Sequence, residues 1–225
     1  MKIIPAILTT DPEIFKQQLR QVENLTDLVH IDICDGLFVP EKTVDPELLR
    51  DIQTPVKFEL HLMVQNPSQE IERWYNFPNI KRIIFHLEGA KIPMASIEHI
   101  EAYGFKAGVA VNPETTLEEI GATGYETDLM FFLSVHPGKQ GQIFIPEVLE
   151  KIKLFKEKHP DTPVALDGGI HIPELNILKN LNLDYIVMGS EIFTHPNPTE
   201  HFKELQELIK LTPSVIPSTV EGSQP

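Results

Sequence analysis

His30 and Asp32 stand two residues apart in the apolar run Val29-His30-Ile31-Asp32-Ile33-Cys34. Alternate residues of a β-strand share a face, so an imidazole and a carboxylate project together while Ile31 and Ile33 pack on the other side. That spacing leaves two readings open, a chemical site or a half-buried strand whose polar face meets water. Similar residues close later apolar runs: His61 in Glu59-Leu60-His61-Leu62-Met63, His86 and Glu88 in Phe85-His86-Leu87-Glu88, Asn112 after Val109-Ala110-Val111, and Asp167 after Val164-Ala165-Leu166. Two imidazoles and two carboxylates gathered at one point would suit a divalent ion such as zinc, ferrous iron, manganese or cobalt. No tight local spacing demands one, and for His61 and His86 the alternative is a core histidine with satisfied hydrogen bonds. Glu59 shares the parity of His61 one step lower, which places it in a polar layer beneath.

Glycines form the second group. Gly138, Gln140 and Gly141 lie in Pro137-Gly138-Lys139-Gln140-Gly141-Gln142, Gly168 and Gly169 follow Asp167, and Gly189 precedes Ser190. Glycine lets backbone N–H groups come close to an anion, so these loops are candidates for holding a phosphate. Tight turns are the plainer reading.

The elements that carry these residues alternate. Strands are expected at Lys2 to Leu8, Asp27 to Ile33, Val56 to Val64, Lys81 to His86, Lys106 to Val111, Asp128 to Val135, Val164 to Asp167 and Tyr185 to Met188. Helix starts are signalled by a capping residue with proline and a nearby acid at Asp11-Pro12-Glu13, Asn66-Pro67 and Asn112-Pro113-Glu114. Further helices are expected from Pro46, Pro93, Pro146, Pro173 and Thr199. About eight strand-then-helix units at roughly 25-residue spacing specify the α/β class and a closed parallel (β/α)8 TIM barrel. A doubly wound sheet ranks below it, because Leu8-Thr9-Thr10-Asp11 stands where a glycine-rich dinucleotide fingerprint belongs. In a barrel the strand ends just described share one rim, where active sites lie. Residues 1–211 are expected to form one domain, and the Pro- and Ser-containing stretch 212–225 a flexible C-terminal tail.

With 41% hydrophobic and 23% charged residues the chain can bury a large core. A net charge of -14 argues against nucleic-acid and anionic-membrane partners. Any phosphate must therefore be held by local geometry. The single cysteine, Cys34, excludes an internal disulfide and fits a reducing compartment. Without a membrane-spanning run or signal-peptide pattern, the expected location is cytoplasmic. The oligomeric state, including a homo-oligomer, stays open.

From Ile3 to about Leu208 the chain resembles the ribulose-phosphate 3-epimerase family. The matching segments include Pro5-Ala6-Ile7-Leu8, His30 through Pro40, Glu59 through Val64, Phe85-His86-Leu87-Glu88, Gly108 through Pro113, Ser134 through Gly138, Leu166 through Ile170 and Val187-Met188-Gly189-Ser190. The resemblance implies a ribulose-phosphate-binding barrel in which His30, Asp32, His61 and Asp167 ligate one catalytic divalent metal ion. It implies a 3-epimerase of the pentose phosphate pathway that interconverts D-ribulose 5-phosphate and D-xylulose 5-phosphate. Asp32 and Asp167 would be the two proton carriers on opposite faces of an enediolate. Two alternatives remain: a 3-epimerase for another ketose phosphate such as D-allulose 6-phosphate, or a non-catalytic sugar-phosphate-binding protein. They are raised by departures from the family pattern. Ala6 replaces serine, Cys34 and Leu133 methionines, Lys139 an aromatic residue, Gln140 a glycine, Leu87 a proline and Glu41 an asparagine.

Overall fold

Runs such as Met130-Phe131-Phe132-Leu133 are apolar at every position, and strands of that kind need cover on both faces. The computed structural model of the protein, which describes residues 1–124 and 126–210, supplies that cover by closing them into a barrel. Its strands are β1 (Lys2–Ile7), β2 (Leu28–Cys34), β3 (Lys57–Met63), β4 (Ile80–His86), β5 (Lys106–Val111), β6 (Leu129–Leu133), β7 (Val164–Asp167) and β8 (Tyr185–Met188). Each pairs in parallel with the next, and β8 returns to β1. The helices are α1 (Pro12–Val22), α2 (Pro46–Leu49), α3 (Pro67–Trp74), α4 (Pro93–Ala102), α5 (Leu117–Ile120), α6 (Val148–Lys158), α7 (Ile172–Leu178), α8 (Ser190–Phe193) and α9 (Pro198–Lys210). This is the (β/α)8 TIM barrel. The expected tail lies outside the described residues.

Alternation along each strand sorts the side chains. Outward residues such as Ile31, Leu60, Phe85, Val109 and Phe132 pack beneath Phe15, Trp74, Ile100, Phe155 and Phe202 of the helices, each fully buried large side chain contributing about 1.5–3 kcal/mol. Inward residues Ile4, Ala6, Ile84, Ala110, Phe131, Leu133 and Val187 fill the barrel. The register of β2 on β3 sets His30 beside Glu59 and Asp32 beside His61. That of β6 on β7 sets Leu133 beside Asp167. Among the described residues no helix is long and apolar enough to cross a membrane.

Most helix starts follow the proline signal. At α1 the Asp11 carboxylate accepts the Glu13 N–H at 2.8 Å, with proline in the first turn. The helix expected at Asn112-Pro113-Glu114 is displaced and short. There the Glu88 carboxylate takes the Asn112 N–H at 2.8 Å and the Thr115 hydroxyl. Lys151 of α6 donates to the carbonyls of Asn112, Pro113 and Thr115 at 2.8–2.9 Å. With these contacts in place the chain makes a turn, the Thr115 N–H donating to Asn112 O at 3.2 Å, and only then do Thr116 and Glu119 form a capping box for α5.

Lys151→Met removes three charge-assisted hydrogen bonds from this turn, so a loss of about 2 kcal/mol is expected in urea unfolding. A change below about 0.5 kcal/mol would show that the turn holds itself.

Candidate active site

Inside the barrel, below the rim, a polar layer interrupts the apolar fill. Glu59 is fully buried, and its Oε1 lies 2.9 Å from His30 Nδ1. Its Oε2 accepts from Arg82 Nη1 at 2.6 Å and from the Tyr185 hydroxyl at 2.6 Å. Burial opposes ionisation of Glu59, but His30, Arg82 and Tyr185 together hold its carboxyl below the ordinary range. The carboxylate in turn fixes the imidazole. With Nδ1–H given to Glu59, His30 turns Nε2 toward the rim, where that buried atom has no hydrogen-bond partner although Asp32 Oδ1 lies 3.3 Å away.

His61 is oriented from the other side. Glu88, whose pKa burial would raise but His86, the Asn112 N–H and Thr115 bring down to about 2, is an acceptor 3.1 Å from His86 Nδ1. His86 Nε2 lies 3.0 Å from His61 Nε2. The other ring nitrogen of His61, Nδ1, lies 3.0 Å from Asp32 Oδ1 and helps hold that carboxyl ionised. The proton positions follow from the network of partners. His86, for which a core histidine was the alternative, is fully buried with both ring nitrogens partnered, by Glu88 and by His61.

The four residues singled out in the sequence converge. One ligand atom from each of His30, Asp32, His61 and Asp167 lies within 4.8 Å of all the others. Imidazole nitrogens and carboxylate oxygens are the donor set of zinc, ferrous iron, manganese or cobalt. The orphaned Nε2 of His30, buried 3.3 Å from the Asp32 carboxylate, fits a cation there. Glu59 behind His30 and His86 behind His61 are the outer partners such a site uses to fix its ligands. Phe131 walls it, stacked 5.3 Å from the His30 ring.

The two acids differ in electrostatics. Burial acts against ionisation of Asp32, but His30 and His61 outweigh it and keep its carboxyl well below the usual range. Asp167 is pushed up to about 7 by burial and by the charge of Asp32. For His30, burial favours the neutral ring, yet Asp32 and Glu59 prevail and hold its pKa at about 10. Burial brings His61 down to about 4.

Above this cluster the mouth is lined by Ala6, Met63, Leu133, Val135 and the glycine loops. Gly138, Gln140 and Gly141 of the loop after β6, Gly168 and Gly169 after β7, and Gly189 and Ser190 after β8 all face one cleft with Asp32 and Asp167. A side chain at Gly169 would meet Gln142 O and Phe144 N at 2.7 Å, and its φ of +63° also favours glycine. Lys139 is about two-thirds exposed and reaches Glu41 Oε1 at 3.4 Å. Cys34 is buried against Val39 and Met63. Burial raises its thiol far above the usual range, which disfavours the thiolate. Sequence reasoning missed Arg82, which it placed in an ordinary strand, and Tyr185, known from the sequence only as a strand start. Their one visible signal was inward parity with Glu59.

Barrel and rim cluster together define a (β/α)8 barrel with a possible divalent-ion site at its mouth, and the relatives specify the class, carbohydrate epimerases. The model of the ribulose-phosphate 3-epimerase family matches residues 2–193, and the chain belongs to that family. The cytoplasmic ribulose-phosphate 3-epimerase isoform of Oryza sativa subsp. japonica is 30% identical over 99% of this chain and 96% of its own length. The ribulose-phosphate 3-epimerase of Aquifex aeolicus is 30% identical over 96% of this chain and 100% of its own length. Solved structures that share the fold at low identity include 3-hexulose-6-phosphate synthase from Salmonella typhimurium, with TM-score 0.71, 13% identity and coverage of 93% of this chain and 99% of that one. The KGPDC of Streptococcus mutans in complex with D-R5P has TM-score 0.72 and 13% identity, covering 93% and 97% of the two chains.

Ligation by an imidazole requires a bare ring nitrogen, which gives the cluster a measurable signature. Without metal His30 carries a proton on Nε2 below its pKa of about 10, and Asp167 carries one below about 7. A carboxyl can meet an ion through its carbonyl oxygen and keep its proton, so zinc or manganese binding should release about one proton, that of His30, near pH 6 and near pH 8.5 alike. Calorimetric titration in buffers of different ionisation enthalpy reads this number. Release of about two protons near pH 6 would show that Asp167 binds as a carboxylate and leaves the loaded cluster no proton to deliver.

Proposed function

We propose that the protein is a metal-dependent ketose-phosphate 3-epimerase that interconverts D-ribulose 5-phosphate and D-xylulose 5-phosphate. The observation that carries this reading is the pair Asp32 and Asp167. Two carboxyl groups share one cluster, and their pKa values are pushed apart, one far down and the other up to about 7. Environments that separate two acids in this way assign them different proton roles.

Inversion at a carbon beside a carbonyl needs a base on one face of the planar enediolate and an acid on the other. Asp32, kept ionised by His30 and His61, takes the C3 proton. Asp167, protonated as the reaction starts, delivers to the opposite face, and the roles exchange in the reverse direction. The two acids influence each other, so a measured pKa belongs to the pair. A divalent ion held by His30, Asp32, His61 and Asp167 would supply positive charge to the substrate's carbonyl and hydroxyl oxygens as a Lewis acid. Glu59 and His86 keep the two imidazoles aimed, and Leu133, Val135 and Met63 keep water from the reacting carbon.

The phosphate is assigned to the loops at Gly138, Gln140, Gly141, Gly168, Gly169, Gly189 and Ser190. The chain's negative charge gives no long-range help, so backbone N–H groups must hold the anion. The Gln140 carboxamide lies against Gly189, where even a Cβ would come within 2.6 Å of Gln140 Nε2. Gln140 thus stands where the loop after β6 meets the loop after β8.

Metal-loaded protein should convert ribulose 5-phosphate to xylulose 5-phosphate with a larger kcat/KM than for allulose 6-phosphate. Asp32→Asn and Asp167→Asn should each lower kcat by at least about 10³-fold. Full activity in either variant would sink the two-acid assignment.

A further inference from the structure

A second cluster of imidazoles and carboxylates lies outside the cleft, on the side of the loops that follow β7 and β8. Glu191 comes directly after Gly189-Ser190, and His171 two residues after Gly168-Gly169. The two side chains meet: His171 Nδ1 lies 2.5 Å from Glu191 Oε2. The other carboxylate oxygen, Oε1, is 3.0 Å from Nε2 of His201 on α9. On its far edge the His201 ring has Glu204 Oε2 3.5 Å from Nδ1, and its face is stacked at 4.1 Å on His195. The His171 main chain is fixed as well, because its N–H donates to Glu174 at 3.0 Å. Glu191 and His201 are largely buried, with side chains 16% and 9% exposed, whereas His171 is 45% exposed.

We propose that Glu191, bridging His171 and His201, is a positioning brace for the phosphate end of the substrate. An ionised carboxylate can accept from two imidazoles at once, one on each oxygen. This one ties the loop after β7 to the loop after β8 and anchors both to α9. The loops so joined carry Gly168, Gly169, Gly189 and Ser190, four of the residues assigned to the phosphate. Backbone donors hold an anion well only when already aligned, since ordering them on binding would weaken it. None of the brace residues touches the reacting carbon. The inference rests on the phosphate assignment made above.

The test uses Glu191→Ala, Glu191→Gln and His171→Asn, each checked for native circular dichroism. Two quantities are read: the dissociation constant of inorganic phosphate by calorimetry, and KM and kcat for ribulose 5-phosphate. Glu191→Ala should weaken phosphate binding and raise KM by about five- to tenfold, with kcat within about twofold. Glu191→Gln keeps one carbonyl acceptor and should recover part of the loss. His171→Asn cuts the link between the loops at its exposed end and should act in the same direction even if the Glu191 variants fail to fold. Unchanged KM and phosphate affinity in folded His171→Asn, with the wild type active, would overturn the brace alone. A wild type that neither binds inorganic phosphate nor turns over ribulose 5-phosphate would overturn the phosphate assignment and the brace with it.

Discussion

Three carboxyl groups, Asp32, Glu59 and Asp167, share the inside of one barrel, and much of the site follows from how their charge is balanced. A buried carboxylate without partners costs several kcal/mol. Glu59 is matched by His30, Arg82 and Tyr185. Asp32 is matched by His30 and His61. Asp167 has the Gly168 N–H and, among the described residues, no arginine or histidine hydrogen bond. It therefore keeps its proton to about pH 7 while Asp32 gives its own up. The separation of the two pKa values is produced by partner count, in two residues of identical chemistry.

The same balance fixes geometry. Glu59 holds His30 from below, and the Glu88–His86 pair holds His61 from the side. Both imidazoles are thereby aimed from behind, so the rim cluster is preorganised by layers below and beside it. The arrangement is rigid because the strands carry it: His30, Asp32 and Glu59 sit in ladder register, and His61 is locked next to Asp32.

Much of the frame was legible in the sequence. Cap-plus-proline signals located α1 and α3, and apolar runs located all eight strands within one or two residues. That His30, Asp32, His61 and Asp167 meet was readable in part because strand ends of a barrel share one rim, but only the family resemblance singled these four out from His86, Glu88 and Asn112. Other features depend on distant partners and leave no local pattern. Asn112-Pro113-Glu114 carries a good helix start, yet Glu88 and Lys151 claim its backbone from other elements. Tyr185 and Arg82 lie 103 residues apart and meet only through closure of the barrel. His171, Glu191 and His201 have no shared period, since they belong to a loop and two helices. Two departures from the family pattern, Lys139 and Glu41, turn out to form an ion pair, which neither position announces alone.

The central claim is that the rim cluster moves a proton at C3 and needs a divalent ion to do so. Incubation of ribulose 5-phosphate with the protein in D2O, with and without a chelator, followed by NMR at C3, tests both parts at once. The account predicts deuterium at C3 of the xylulose 5-phosphate formed, and loss of both exchange and epimerisation when the ion is stripped. Product that retains its original C3 hydrogen, or exchange that persists undiminished under chelation, would contradict it.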